Sequence, residues 1–365
     1  MTKIKTIKTI IGERGFRYLY NYVHFFIFWN WIRSHPRLIY LMNRIAPYPS
    51  YLEVEATTKC PFKCVFCEHT YWNEKSRDMS LAEFKRFIDQ FPRLKYIAFT
   101  GIGENFLNHD FMDMYRYLKV RHPTILIELY DMFYYIDKKV AGELINEIGL
   151  TQVYVSFDAA TKETYEKVRV GSDFDRVVNN IRNFIRIREE EGLRFPQITF
   201  HFIITKQNMH EISQYIHLVK ELGGNRIFFT RLLHRFEEVK DLWVNVPQSL
   251  MDEANKVGED CGVEIEWNMD VPRQKPAISN CIEWTTPFIY VTGEVQPCCC
   301  LQEANNRKKL KSLSLGNIYN SGFRDIWRGK GYKELRRQIL RGKIPEICRG
   351  CPIYNLNVKK TEGEE

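Results

Sequence analysis

The sequence predicts an α/β fold: a partial (β/α)6 barrel with an N-terminal helical segment before it and a small cysteine-rich module after it. Three observations carry this reading. Between residues 51 and 235, short apolar runs of period two alternate six times with segments of period 3.6. Seven of the ten cysteines lie beyond that stretch. The first 50 residues carry Lys3, Lys5, Lys8, Arg14, Arg17, Arg33, Arg37 and Arg44 against Glu13 alone, which is +7 of a net +8.

The leader, residues 1–50, centres on "YLYNYVHFFIFWNWI" (18–32), which has no formal charge and is flanked by arginines. As a helix, its length would be roughly 22 Å at about 1.5 Å per residue, short of the ~30 Å hydrocarbon core of a bilayer. Tyr and Trp beside Arg are residues that settle at a headgroup interface. Two expectations follow: a helix lying on an anionic membrane surface, or one packed on the enzyme body. "PYPS" (47–50) ends the segment.

The barrel, residues 51–235, is expected to have strands at "YLEVEAT", "LKYIAFTG", "TILIELYD", "TQVYVSFD", "PQITFHFIIT" and "NRIFFT". Helices are expected at "SLAEFKRFIDQF", "FMDMYRYLKVR", "DKKVAGELINEI", "FDRVVNNIRNFIRIREEE" and "MHEISQYIHLVKEL". Strands alternating with helices imply a parallel sheet. Six units are too few for a closed eight-unit barrel, so the sheet should stay open, with its active groups at the C-terminal strand ends. Residues 236–275 read as a mixed connector, 276–357 as the second module, and 358–365 as a charged tail.

The other 315 residues sum to about +1, which leaves no basic groove on the folded body and makes nucleic acid an improbable partner. No small-residue cleavage site follows the basic start, so the chain reads as cytoplasmic, with a peripheral position at the inner face of the membrane as the further expectation. Clustered cysteines in such a chain point to metal or redox chemistry more than to disulfides.

Directly after the first strand, "TTKCPFKCVFC" places Cys60, Cys64 and Cys67 in a C-x3-C-x2-C run. Soft thiolates select iron–sulfur clusters or zinc. Three ligands on a four-iron cubane leave one iron open to a substrate or cofactor; zinc completed by His69 is the alternative. The run resembles that of the radical S-adenosylmethionine enzymes. The resemblance implies an open [4Fe–4S] cluster whose free iron is chelated by S-adenosylmethionine, and one-electron cleavage to a 5′-deoxyadenosyl radical. By the same resemblance, "FTGIGENFLN" supplies Gly103 and Glu104 for the methionine ammonium group, with Ile102 and Asn105 departing from the family pattern. In "VYVSFDAATKETYEKVR", Ser156 matches a ribose contact and Arg169 the partner of the methionine carboxylate. Asp158 ends the same strand toward the mouth, as a cofactor contact or a helix cap. Phe66 matches an aromatic beside the adenine, with core packing as the alternative. Asp131, after the third strand, could act on substrate as a catalytic group or order its loop.

"CIEWTTPFIYVTGEVQPC" and "CRGC" are similar to the auxiliary-cluster module called SPASM. That implies a small C-terminal iron–sulfur module with one auxiliary [4Fe–4S] cluster on Cys281, Cys298, Cys348 and Cys351. Cys299 or Cys300 could replace Cys298, and a structural zinc is the alternative in the same thiolates. Cys261 reads as a buried thiol. The implied partners are a reductant such as flavodoxin or ferredoxin and a substrate that is a lipid, peptide or sugar. A membrane-associated substrate is the leading reading, a peptide or protein maturase the second, and a non-catalytic iron–sulfur scaffold or sensor a third.

Overall fold

A computed structural model describes residues 3–72, 75–232, 236–268, 277–299, 307–349 and 351. The charged tail and Cys300 lie outside the described residues. Each expected barrel strand forms: β1 Tyr51–Val54, β2 Tyr96–Phe99, β3 Leu126–Asp131, β4 Gln152–Ser156, β5 Gln197–Ile204 and β6 Arg226–Arg231, neighbours pairing in parallel. Helices Leu81–Ile88, Phe111–Arg121, Phe174–Glu190 and Ile212–Glu221 fill intervening connections. Ser80 begins the first of these with a capping box, its hydroxyl accepting from the Glu83 amide while the Glu83 carboxylate accepts from the Ser80 amide.

The sheet is longer than the six strands expected. The segment read as a connector holds helix Gln248–Cys261 and strand β7, Glu264–Asn268, which pairs in parallel with β6. β7 escapes a periodicity reading because it is an edge strand with an alternately exposed, charged face. At the other edge, β8 (Phe288–Ile289) runs parallel to β1 and β9 (Val295–Gln296) antiparallel to β8. The barrel is therefore open, and the C-terminal module is stitched into its sheet.

The two faces of the sheet differ. Ile97, Phe99, Ile127, Leu129, Val153, Val155, Phe200 and Phe202 point outward into the core beneath the helices. Opposite-parity residues, among them Glu128, Gln152, Tyr154, Gln197 and Arg226, line the lumen. Strand alternation separates the sets.

The leader folds as consecutive helical segments between Lys3 and Ile45 that lie across the N-terminal ends of the strands. Ile10, Tyr18, Trp29, Ile32 and Ile39 are buried with Tyr51, Tyr96, Leu126 and Phe195. The Tyr18 hydroxyl bonds Thr151 Oγ1 at 2.5 Å, and Asn21 Nδ2 donates to the Thr124 carbonyl at 2.7 Å. Phe25 stacks on Tyr96 with centroids 3.9 Å apart. Body packing thus accounts for one face of the leader. Among the described residues no helix is long and apolar enough to cross a membrane.

A buried ion pair joins the module to the barrel. Arg307 Nη2 meets Glu55 Oε2, and both side chains are essentially inaccessible. The guanidinium lies 4.3 Å from the Tyr290 ring centroid, and Glu55 also accepts from the Val291 amide at 3.2 Å. Removing one member leaves a buried charge uncompensated. Arg307→Ala should therefore cost about 3–5 kcal/mol in chemical denaturation, and the double change Glu55→Gln/Arg307→Met should recover much of that loss.

Candidate active site

Cys60, Cys64 and Cys67 sit on the loop leaving β1, at the C-terminal end of the sheet. The loop is tied down locally: the Thr57 hydroxyl bonds Asp78 Oδ1 at 2.6 Å, and the Cys67 amide donates to the Cys64 carbonyl at 3.0 Å. It is also tied at long range, because Lys63–Cys64 forms a short antiparallel ladder with Arg169–Val170. Burial pushes all three thiols up, Cys60 to about 12, and the Cys64 sulfur adds to the rise at Cys60 and Cys67. Three neighbouring thiolates in such a place call for a positive partner such as iron. His69 Nε2 is engaged with the Thr58 carbonyl at 3.0 Å, which turns that nitrogen away from the cysteines.

The loop after β2 carries Gly103 and Glu104. A Cβ on Gly103 would lie 2.2 Å from the Thr57 carbonyl oxygen, so glycine is needed for this loop to touch the cysteine loop. The close approach seen at Gly103 is thus to the Thr57 backbone. Gly101 has φ +143° and rests on the Glu55 side chain. The Glu104 amide donates to the Lys59 carbonyl at 2.7 Å.

Glu104 and Asp131 form a buried carboxyl pair. Burial and then the Asp131 charge hold Glu104 well above its ordinary range, and burial pushes Asp131 up to about 6. Two carboxyls in hydrogen-bond contact share a proton more readily than both ionise. Asp131 also accepts from the Phe133 amide at 2.6 Å. Phe133 stands at φ +64°, and its carbonyl accepts from Asn180 Nδ2 at 2.8 Å. Asp131 orders its loop and holds Glu104.

Asp158 does not cap the helix that follows, Lys162–Val168; Thr161 does. Asp158 is fully buried, with Oδ2 accepting from Arg169 Nε at 2.6 Å and Oδ1 from the Ile203 amide at 2.7 Å. Both oxygens are thus engaged by protein. The Arg169 guanidinium also lies 5.6 Å from the Phe66 ring centroid, so Phe66, Arg169 and Asp158 form one cluster against Cys64. Ser156 ends β4 on the lumen face, opposite His201 on β5. Burial pushes His201 down to about 4, so the imidazole is neutral, and its Nε2 bonds Thr230 Oγ1 at 2.8 Å.

Below these groups the lumen is a chamber of about 530 Å³. Tyr154 is two residues before Ser156, which puts it ~7 Å below the strand end. Glu128 lies among Tyr96, Tyr130 and Tyr154, and the Tyr130 and Tyr154 rings stack with centroids 4.5 Å apart. Phe25 and Phe26 of the leader form the opposite wall. Sequence reading missed these residues. The available signal was a polar side chain at every second position of otherwise apolar strands, as in "LIELYD" and "QVYVS".

In the second module Cys281 interacts electrostatically with Cys348 and Cys351, and Cys298 lies beside Tyr332. All four sulfurs belong to, or pack against, the main core, and Cys348–Cys351 is closed by a 3.2 Å amide–carbonyl bond. The donor set fits a cluster of four thiolates. Cys261 is not buried as expected: its Sγ is partly exposed and lies 3.4 Å from His217 Nδ1, at the last residue of an edge helix.

The model of the radical SAM superfamily matches residues 54–219, and that of the iron–sulfur cluster-binding domain SPASM matches residues 281–352. The chain carries a radical SAM domain followed by a SPASM module. It is similar to the tungsten-containing aldehyde ferredoxin oxidoreductase cofactor-modifying protein of Pyrococcus furiosus, 26% identical over 83% of this chain and 87% of that one. The mycofactocin maturase MftC of Mycolicibacterium smegmatis is 25% identical over 54% of this chain, which spans about half of that protein's length (48%). Among solved structures, Streptococcus suis SuiB bound to S-adenosylmethionine aligns with TM-score 0.61 at 14% identity, covering 79% of this chain and 68% of that one. Native anSMEcpe with bound AdoMet aligns with TM-score 0.57 at 17% identity, covering 83% and 87%. This radical SAM protein is an enzyme that uses S-adenosylmethionine and a [4Fe–4S] cluster, with auxiliary iron–sulfur ligation in its SPASM module.

The chamber makes a pH dependence readable. Burial pushes the Glu128 carboxyl from 4.5 up to about 7. In the unfolded chain it ionises near its ordinary value, so between these pH values the folded state binds more protons, and stability falls as pH rises. Wild-type protein should lose on the order of 1–3 kcal/mol from this group between pH 5 and 8. Glu128→Gln should show a correspondingly smaller drop in urea midpoint over the same range.

Proposed function

We propose that this radical SAM/SPASM enzyme abstracts hydrogen from a side chain of a peptide or protein substrate held in the lumen. The observation that carries the reading is the polar chamber below Ser156, large enough for one or two side chains and lined by Glu128, Gln152, Tyr154 and Arg226. These groups are paired with one another, Glu128 with Tyr96 and Tyr130 and Arg226 with Glu264, so the wall offers an acyl chain charged and hydroxyl surface where it needs an apolar one. The lipid-substrate reading therefore loses its footing in the lumen. The maturase named among the relatives supports the peptide reading.

In this reading Cys60, Cys64 and Cys67 hold the open cluster, and Cys281, Cys298, Cys348 and Cys351 hold the auxiliary one. When bound, S-adenosylmethionine and the reduced cluster supply a radical that removes hydrogen from carbon. Glu104, in its ionised form, would accept from the methionine ammonium group, with Asp131 beside it. Arg169, pre-positioned by Asp158, would pair with the methionine carboxylate, and Phe66 and Ser156 would contact the nucleoside. Gly103 lets the Glu104 loop close against Thr57. The chamber wall orients the substrate and limits water. The electron comes from a small reductant of the flavodoxin or ferredoxin type, and the basic leader positions the enzyme at an anionic membrane surface.

Anaerobic reconstitution with S-adenosylmethionine, reductant and peptides encoded beside this enzyme tests the reading, with mass spectrometry to find which molecule loses hydrogen. No modified peptide, together with a modified lipid or sugar, would overturn it. Reduced wild-type enzyme should form 5′-deoxyadenosine slowly without substrate, and Cys64→Ala should form none. Glu104→Gln should weaken S-adenosylmethionine binding by about 1–3 kcal/mol in calorimetry, the scale of a charge-assisted hydrogen bond. Removing Cys60, Cys64 and Cys67 together should leave about four irons per chain by metal analysis, held by the SPASM module.

A further inference from the structure

The helical leader has two faces. One packs on the barrel and walls the chamber. The other carries a continuous ladder of rings: Tyr20 contacts His24, His24 contacts Phe28, Phe28 contacts Trp31, and Trp31 contacts His35, with centroid separations between 4.7 and 6.0 Å. This ladder is exposed: Tyr20 is 61% accessible, Phe28 43% and Trp31 49%. Ten of the 13 exposed large apolar side chains of the described residues lie between Ile7 and Tyr48, a concentration that a randomly apolar surface would not give.

Beside the ladder is a second feature. A pocket of about 260 Å³ is lined by Phe28, Trp29, Tyr48 and Tyr51 together with Arg93 and Lys95, and no carboxylate lines it. Neither Arg93 nor Lys95 forms an ion pair among the described residues; Lys95 Nζ instead lies over the Tyr20 ring at 4.9 Å. The single carboxylate of the leader, Glu13, is turned inward, accepting from the amides of Arg194 at 2.9 Å and Phe195 at 3.2 Å. The ladder and the pocket therefore present aromatic rings and cations without a carboxylate among them, while Arg33 of the leader is paired with Glu283 at 2.7 Å. A protein interface of this size would mix signs around its rim. Aromatic rings interleaved with unpaired cations fit an anionic lipid surface, with headgroup phosphate on Arg93 and Lys95 and rings at the level of the ester groups.

We infer that the Arg93–Lys95 pocket and the Tyr20–Trp31 ladder form one docking site for anionic phospholipid, at the end of the barrel opposite the cysteine loop. It deepens the membrane positioning in the proposed function and is independent of the substrate. The first strands begin behind this site and the cluster lies beyond their far ends, so docking leaves the cluster side open to a reductant.

The test is vesicle co-sedimentation of the full, reconstituted enzyme. Vesicles containing phosphatidylglycerol should bind it, and pure phosphatidylcholine vesicles should bind it at least tenfold less. Arg93→Glu/Lys95→Glu should lower the partition coefficient at least tenfold and remove most of its salt dependence. Phe28→Ser/Trp31→Ser, changed at exposed positions, should lower it at least tenfold while keeping the salt dependence. Both variants should form 5′-deoxyadenosine at the wild-type rate, which separates loss of docking from failure of the radical chemistry. Absence of wild-type binding to phosphatidylglycerol, or binding unchanged by either double substitution, would overturn the inference. So would thermal stabilisation by soluble glycerol phosphate that needs Arg93 and Lys95 while vesicles have no effect, which would identify a free phosphate ligand. A wild-type dimer in sedimentation velocity that Phe28→Ser/Trp31→Ser converts to monomer, without lipid binding, would assign the face to a second copy instead.

Discussion

The site depends on the buried contact between Asp158 and Arg169. Asp158 is held by the β5 backbone through the Ile203 amide and holds the guanidinium in turn. Arg169 then reaches the cluster loop twice, by its backbone pairing with Cys64 and by its guanidinium over Phe66. A buried ion pair often stabilises a fold no more than apolar residues of the same volume would. What this pair contributes is position: it registers the helix after β4 against the loop after β1, two segments about 100 residues apart that must meet at one small cluster.

Around that anchor the sheet divides its labour by strand parity. Outward positions are apolar and pack beneath the helices, which accounts for a core large enough to hold the barrel rigid. Inward positions carry carboxyl, phenol, imidazole and guanidinium groups, which fold-building alone would not select. The leader completes the chamber by supplying Phe25 and Phe26 as one wall, and the SPASM module is locked on by Glu55 and Arg307 behind the cysteine loop. The leader and the barrel thus share one cavity, and the SPASM module is anchored separately through Glu55 and Arg307.

The regular elements were legible because strand and helix periods are local properties. Six strands and their intervening helices fall within a few residues of the periodicity reading, while β7 was hidden by its exposed, charged edge and β8 and β9 by their length of two residues each. Among site residues, the cysteines and the glycine–glutamate loop were visible as spacing. The partner of each was not. Asp131 reads in sequence as a lone acid and proves to be paired with Glu104; Asp158 reads as facing the mouth and is turned onto Arg169. Cys261 reads as a small buried hydrophobe, yet the helix that carries it lies at the sheet edge, where one side of the residue meets solvent.

By itself the sequence determined the parallel α/β architecture, the spacing of the three-cysteine loop, the second group of cysteines behind it and the charge asymmetry of the leader. These depend on spacing and composition within short windows, where bond geometry and side-chain period leave few alternatives. Only the tertiary structure decided that the leader has one face on the barrel and one in solvent, that the lumen is polar, and that Glu104 and Arg169 are each backed by a buried carboxyl partner. Those outcomes depend on which surfaces are removed from water together, and burial is a property of contacts between distant segments that no local pattern records.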